Sequence, residues 1–126
     1  MIYGIGIDIV RIERFRQVAE RWGKRFLDRV FTTGELDYCY QKKNPYLSLA
    51  VRFAAKEAMI KAIGSAIPVP LTGIEVITAT NGKPELKTTR LLEVFFRENS
   101  ITKTHLSLSH EHEYGVACVI LEQESA

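Results

Sequence analysis

Residues 52–64 read RFAAKEAMIKAIG. Wound at the α-helical period, Phe53, Ala54, Glu57, Lys61 and Gly64 fall along one stripe, with Ala55, Met59, Ala62 and Ile63 on the other side. A helix apolar on nearly every face belongs in an interior. This one nevertheless carries Glu57 and Lys61 one turn apart, among small side chains that leave room for something. A buried carboxylate and ammonium are costly unless each meets a partner, a metal or a charged ligand. The same pair on an open surface would stabilise a helix by only about 0.2–0.5 kcal/mol. The stretch therefore predicts a central helix and, on it, a candidate site.

Working outward, residues 2–10 predict a first strand. Its odd positions, Tyr3, Ile5, Ile7 and Ile9, are all large and apolar, and that face is expected in the core. Its even positions, Gly4 and Gly6, are bare until Asp8, which marks a close approach of a ligand or another backbone. Residues 11–22 form an amphipathic helix with Ile12, Phe15, Ala19 and Trp22 as its core stripe and Gly23 as a stop. Residues 24–31 continue as a short helix or turn. Thr32 and Glu35 make a capping box for a helix reaching about residue 43. Asn44-Pro45 breaks it, and the central helix runs from about 46 to 64.

Beyond the prolines at 68 and 70, residues 73–80 predict a strand, Asn81-Gly82 a hairpin turn and residues 84–88 the returning strand. A helix over 90–99 follows. Residues 103–109 alternate Thr104, Leu106 and Leu108 against His105, Ser107 and Ser109, and 114–121 is the last strand. Strands in hairpins and helices in blocks predict an α+β fold, a mostly antiparallel sheet packed with the long central helix.

A chain of 126 residues is expected to form one domain with a sizeable core. A net charge of only +2 excludes a global basic field. Cys39 and Cys118 are too few for a disulfide framework or a zinc site, and Cys118, in an apolar run, reads as a buried thiol. Neither a signal peptide nor a membrane span is expected, and a reducing cytoplasm fits.

Three places carry candidate chemistry: Asp8 at the end of the glycine-rich strand, Glu57 and Lys61 on the helix, and residues 107–110, SLSH. Two carboxylates suit Mg²⁺, which is typically held by one or two carboxylates plus substrate phosphates. A lysine beside such an ion is a natural phosphate binder. Together these parts point to phosphoryl or nucleotidyl chemistry.

GIDIV (6–10), RFAAKEA (52–58) with Lys61, Ala62 and Gly64 following, NGKP (81–84), SLSH (107–110) and YGVA (114–117) occur in one order and spacing. In these motifs the chain closely resembles the small bacterial 4'-phosphopantetheinyl transferases, the holo-acyl-carrier-protein synthases, over essentially residues 1–121. Gly115 departs from the alanine usual there. The resemblance implies coenzyme A and an apo acyl carrier protein as substrates. The carrier's serine would attack the β-phosphate of coenzyme A, taking phosphopantetheine and releasing 3',5'-ADP, in fatty acid biosynthesis. It implies Asp8 and Glu57 as ligands of Mg²⁺ and Lys61 as the group that holds a phosphate. Either Glu57 or a water on the metal would take the serine's proton. Arg52 and His110 become candidates for the 3'-phosphate. Gly82, Lys83 and Pro84 resemble an adenine-side loop, Gly64 and Ser65 are expected near the phosphates, and Ser109 belongs with the same coenzyme set. It further implies a homotrimer with sites between subunits.

Between residues 11 and 29 lie seven basic and three acidic side chains, with Arg11, Arg14, Val18, Arg21 and Arg25 on one helical face. Acyl carrier proteins are acidic, so the resemblance makes Arg14, Arg21 and Arg25 a docking face. Nucleic acid is not expected, because no recognised module or aromatic platform accompanies the stripe. Two other functions are also compatible with the sequence. One is a non-catalytic module binding coenzyme A or carrier protein; the other is an interaction protein using only the basic helix.

Overall fold

The central helix is α3, Pro45–Ala62. Asn44 ends the preceding turn and also starts α3: its side chain accepts the Leu47 N–H at 3.3 Å, and Pro45 occupies the first turn, where no donor is lost. Around α3 the computed structural model, which describes residues 1–124, places β1 (Ile2–Arg11), α1 (Ile12–Val30), α2 (Thr33–Tyr40), β2 (Ile74–Thr78), β3 (Pro84–Thr88), α4 (Arg90–Glu98), β4 (Ile101–His110) and β5 (Tyr114–Gln123). All strand pairing is antiparallel. One sheet has the order β1-β5-β4, and β2 and β3 form a separate hairpin. The α+β expectation is met. The hairpin loop is longer than the Asn-Gly pair alone: residues 79–83 connect the strands, and Gly82 takes the left-handed conformation at φ 84°.

α3 lies across one face of the three-stranded sheet, and this corrects the expected sidedness of β1. Ile5, Ile7 and Ile9 are 57%, 61% and 64% exposed, while Gly6 is buried. The bare positions face inward because a backbone occupies the space. A Cβ on Gly6 would stand 1.7 Å from the Ala58 carbonyl oxygen, and one on Gly4 would stand 1.9 Å from that of Ala62. β1 and α3 thus touch main chain to main chain, with Ala58 and Ala62 supplying small side chains. Pairing places Val116, Cys118 and Ile120 of β5 beside Ile9, Ile7 and Ile5. Cys118 is accordingly half-buried on the outer face, and Cys39 is the fully buried thiol.

α1 is bent at Gly23, whose φ of 64° and ψ of −148° interrupt the helix without ending it. Ile12, Phe15 and Ala19 are buried as expected, and Leu27 and Val30 resume the core beyond the bend. Trp22 does not join them. It is 61% exposed, with the Arg21 guanidinium 5.3 Å from its ring centre. The backbone turn at the next residue carries it out of the stripe.

Candidate active site

Because β1 runs tight against α3, the end of the glycine-rich strand comes to the last turns of the helix. Lys61 Nζ donates to Asp8 Oδ1 at 2.9 Å and to the Ile7 carbonyl at 3.1 Å. Glu57, one turn earlier on α3, feels both groups. Burial, chiefly, and then the Asp8 charge push its carboxyl pKa above the usual glutamate value, and Lys61 pulls it partly back. Asp8, Glu57 and Lys61 therefore form one electrostatic unit. It is more open than the sequence suggests: the Lys61 side chain is 55% exposed, and Glu57 is only half-buried.

The fully buried ammonium on α3 is Lys56, paired with the fully buried Glu35 at 2.6 Å. Sequence reading missed this pair, although its parts were visible. Glu35 had a role as the capping-box residue, and Lys56 sits on a helix apolar all round. In the structure Glu35 completes the capping box with Thr32 and still reaches inward. Burial pushes the Lys56 ammonium below its ordinary value, and Glu35 pushes it back up.

A second concave region lies at the other end of α3. Tyr38, Lys42, Ser48, Arg52, Thr78, Gly82, Pro84, Leu108 and His110 are among the residues lining a groove of about 410 Å³. Arg52, 5% exposed, donates through Nη1 to Ser48 Oγ at 2.7 Å and through Nη2 to Thr78 Oγ1 at 3.1 Å. Its Nε is buried without a partner. Its guanidinium lies 4.6 Å from the Tyr38 ring centre. Hydrogen bonding with Thr78 and the nearby charges of Lys42 and Arg52 hold the Tyr38 hydroxyl below its usual pKa, against a smaller rise from burial. The groove thus gathers positive charge behind an aromatic ring. Tyr38, Lys42 and Thr78 were not singled out from sequence, because the end of α2 and the distant end of β2 meet only in the fold.

Four of the expected coenzyme residues, Arg52, Gly82, Pro84 and His110, line this groove. The others are placed elsewhere in the single chain. Lys83 lines a separate cleft with Thr104 and His105. Ser109 pairs with Val116 opposite Ile9, on the outer sheet face. Gly64 and Ser65 follow the end of α3 with positive φ, and their N–H groups are spent on the carbonyls of Lys61 and Ile60. A helix carboxyl end and used amides give a phosphate little to hold there.

Arg14, Arg21 and Arg25 are all exposed, but the bend at Gly23 lies between Arg21 and Arg25. Arg14 borders an apolar groove of about 510 Å³ with Ile9, Phe15, Val18, Phe26 and Phe53. Arg25 borders a smaller one that shares Val18 and Phe26. Glu13 and Glu20 are both tied to Arg16, and Asp28 is tied to Lys24. The acids of α1 are thereby neutralised, and the remaining arginines set the sign of this face. A groove of about 570 Å³ between α1 and α2 contains none of the candidate residues.

A bed of hard oxygen donors around a cation is already visible at Asp8, where the Lys61 ammonium rests. No group of three or more His, Cys, Asp or Glu forms a metal cluster among the described residues. Asp8 and Glu57 supply two hard carboxylate donors, the ligand type that Mg²⁺ takes.

The chain is an α+β protein with two charged regions along its central helix, and sequence comparison identifies its family. The profile of the 4'-phosphopantetheinyl transferase superfamily matches residues 4–119. The chain belongs to that family. It is 42% identical over 124 residues to the holo-[acyl-carrier-protein] synthase of Halothermothrix orenii, covering 98% of this chain and 99% of that one. The crystal structure of the Neisseria meningitidis holo-[acyl-carrier-protein] synthase superposes with a TM-score of 0.90 at 37% identity, over 98% of this chain and all of that one. That of Bacillus anthracis, in complex with CoA (3',5'-ADP), gives 0.81 at 36% identity, over 98% and 99%.

Proposed function

We propose that this protein is a Mg²⁺-dependent holo-[acyl-carrier-protein] synthase, a single phosphopantetheinyl transferase domain that moves 4'-phosphopantetheine from coenzyme A to a serine of apo acyl carrier protein. The observation that carries the reading is the convergence of Asp8, Glu57 and Lys61 on one spot, on a chain similar throughout its length to such synthases. In the reaction a bond forms between the serine oxygen and the β-phosphorus. The bond from that phosphorus to the bridging oxygen breaks, and 3',5'-ADP leaves.

Arg52, His110 and the wall of Gly82 and Pro84 receive the nucleotide end of coenzyme A, with the buried guanidinium and Lys42 meeting its phosphate charge. Lys61 holds an oxygen of the pyrophosphate. Asp8 and Glu57 would hold the Mg²⁺, which supplies charge neutralisation as negative charge develops on the leaving phosphate. Arg14, Arg21 and Arg25 orient the acidic carrier, so its serine arrives from the β1 side.

The exposed Ile5, Ile7 and Ile9 beside Val116, Cys118 and Ile120 support self-association, because an apolar strip of this kind marks an interface. We take the assembly to be the homotrimer that the sequence resemblance implies, with Ser109 on the face that meets the neighbour. The reaction belongs to fatty acid biosynthesis in the cytoplasm, and no helix among the described residues is long and apolar enough to cross a membrane.

The test mixes the protein with apo carrier protein, coenzyme A and Mg²⁺ and follows the carrier by mass spectrometry. A phosphopantetheine adduct is expected. Binding of coenzyme A with no adduct under any divalent metal would leave a non-catalytic binding module. Sedimentation equilibrium reads the assembly, and a fully active monomer would remove the interfacial site.

A further inference from the structure

The Glu35–Lys56 pair takes no part in the chemistry above, yet its atoms are fully committed. The Lys56 ammonium donates to Glu35 Oε1 at 2.6 Å, to the Ile74 carbonyl at 2.7 Å and to the Leu71 carbonyl at 2.9 Å. Three donors meet three acceptors, so none is left over. Glu35 in turn accepts the Thr32 N–H at 2.9 Å and, through Oε2, the Val76 N–H at 2.8 Å. One buried pair thereby joins the start of α2, the middle of α3 and the chain from Leu71 into β2.

β2 ends at Thr78, two residues past Val76, and the Thr78 hydroxyl accepts from Arg52. The β2–β3 loop then supplies Gly82, and the start of β3 supplies Pro84, to the far wall of the 410 Å³ groove. Arg52 itself stands one turn from Lys56 on α3. We propose that Glu35 and Lys56 are positioning residues for coenzyme binding: they hold the β2–β3 hairpin against α3 so that the groove wall keeps its distance from Arg52 and His110. This rests on reading that groove as the coenzyme A site. A buried ion pair roughly breaks even against apolar packing of equal volume, but its hydrogen bonds are directional and apolar contacts are not. That is the property needed to fix one strand's height over a helix. Asp8, by contrast, is set against α3 by the close approach of β1, so the chemical centre and the coenzyme wall have separate supports.

The experiment compares wild type with Glu35→Gln, Lys56→Met and the double variant, using circular dichroism for folding. Calorimetry gives the affinity for 3',5'-ADP, and initial rates are taken with coenzyme A and carrier varied separately. Each single variant strands a buried charge and is expected to melt earlier; the double variant recovers part of that loss. In the folded double variant, 3',5'-ADP affinity and the KM for coenzyme A are expected to worsen about tenfold, with the carrier KM and kcat within about threefold of wild type. Unchanged coenzyme affinity in a folded variant overturns the proposal. So does a parallel loss in kcat and both KM values, and so does failure of all three variants to fold, since the pair then holds the whole domain. Wild-type protein that binds 3',5'-ADP but transfers nothing would remove the proposed reaction while leaving the calorimetric comparison intact.

Discussion

Lys56 and Lys61 stand five residues apart on one helix, and each faces a carboxylate from another element. Lys56 and Glu35 are wholly buried, with every proton placed. Lys61 and Asp8 meet at the surface, beside a third charge, Glu57. The first arrangement is saturated and can only hold. The second is under-neutralised and half-open, so it can exchange partners when a charged substrate arrives. On the proposed reading, the working group is the one that water and substrate can reach, and the buried charge only holds the fold.

The comparison predicts unequal costs. Lys56→Met is expected to lower the unfolding free energy by about 3–5 kcal/mol, because Glu35 would be left charged and buried. Lys61→Met should cost less than about 1 kcal/mol. Urea melts read both, and equal losses would erase the distinction. Next in size, Asp8→Ala or Glu57→Ala should reduce transfer by about 100- to 1,000-fold with the circular dichroism spectrum unchanged. Similar rates in all variants would place the chemistry elsewhere.

Smaller effects sharpen the picture. Arg14→Glu or Arg21→Glu should raise the carrier KM by about tenfold while coenzyme A affinity stays within about twofold. Loss of coenzyme binding instead would reassign that face. Finally, carboxyl NMR should find Glu57 titrating above the usual glutamate value, lower in Asp8→Asn and higher in Lys61→Met. The raised pKa means the fold binds this proton more tightly than the unfolded chain does. Its stabilising contribution is therefore present below the unfolded glutamate pKa and fades as pH rises through the folded value. Glu57→Gln should accordingly be more stable than wild type at neutral pH, with the gain vanishing in acid.

Much of the architecture was legible in local patterns. Thr32 and Glu35 cap α2, Pro84–Thr88 returns antiparallel, and residues 52–62 lie in the central helix, because capping, turn and periodicity rules act within a few residues. The Asp8–Lys61 contact joins two motifs that the sequence already singles out. Sidedness was not legible. Ile5, Ile7 and Ile9 look like core because alternation identifies two faces and the larger apolar one is assumed inward. Here two glycines let α3 come so close that the isoleucines must point out. Trp22 fits the helical stripe until Gly23 turns the backbone. Lys56 is indistinguishable by type from a surface lysine, and its partner lies in another helix, beyond the reach of any local rule.

The proposed transfer requires Asp8 and Glu57 to hold one divalent ion jointly. Electron paramagnetic resonance with Mn²⁺, in the presence of 3',5'-ADP, tests it directly on wild type, Asp8→Asn and Glu57→Gln. One bound Mn²⁺ per chain in wild type, lost in both variants, is the predicted result. Undiminished Mn²⁺ binding in both variants would contradict it.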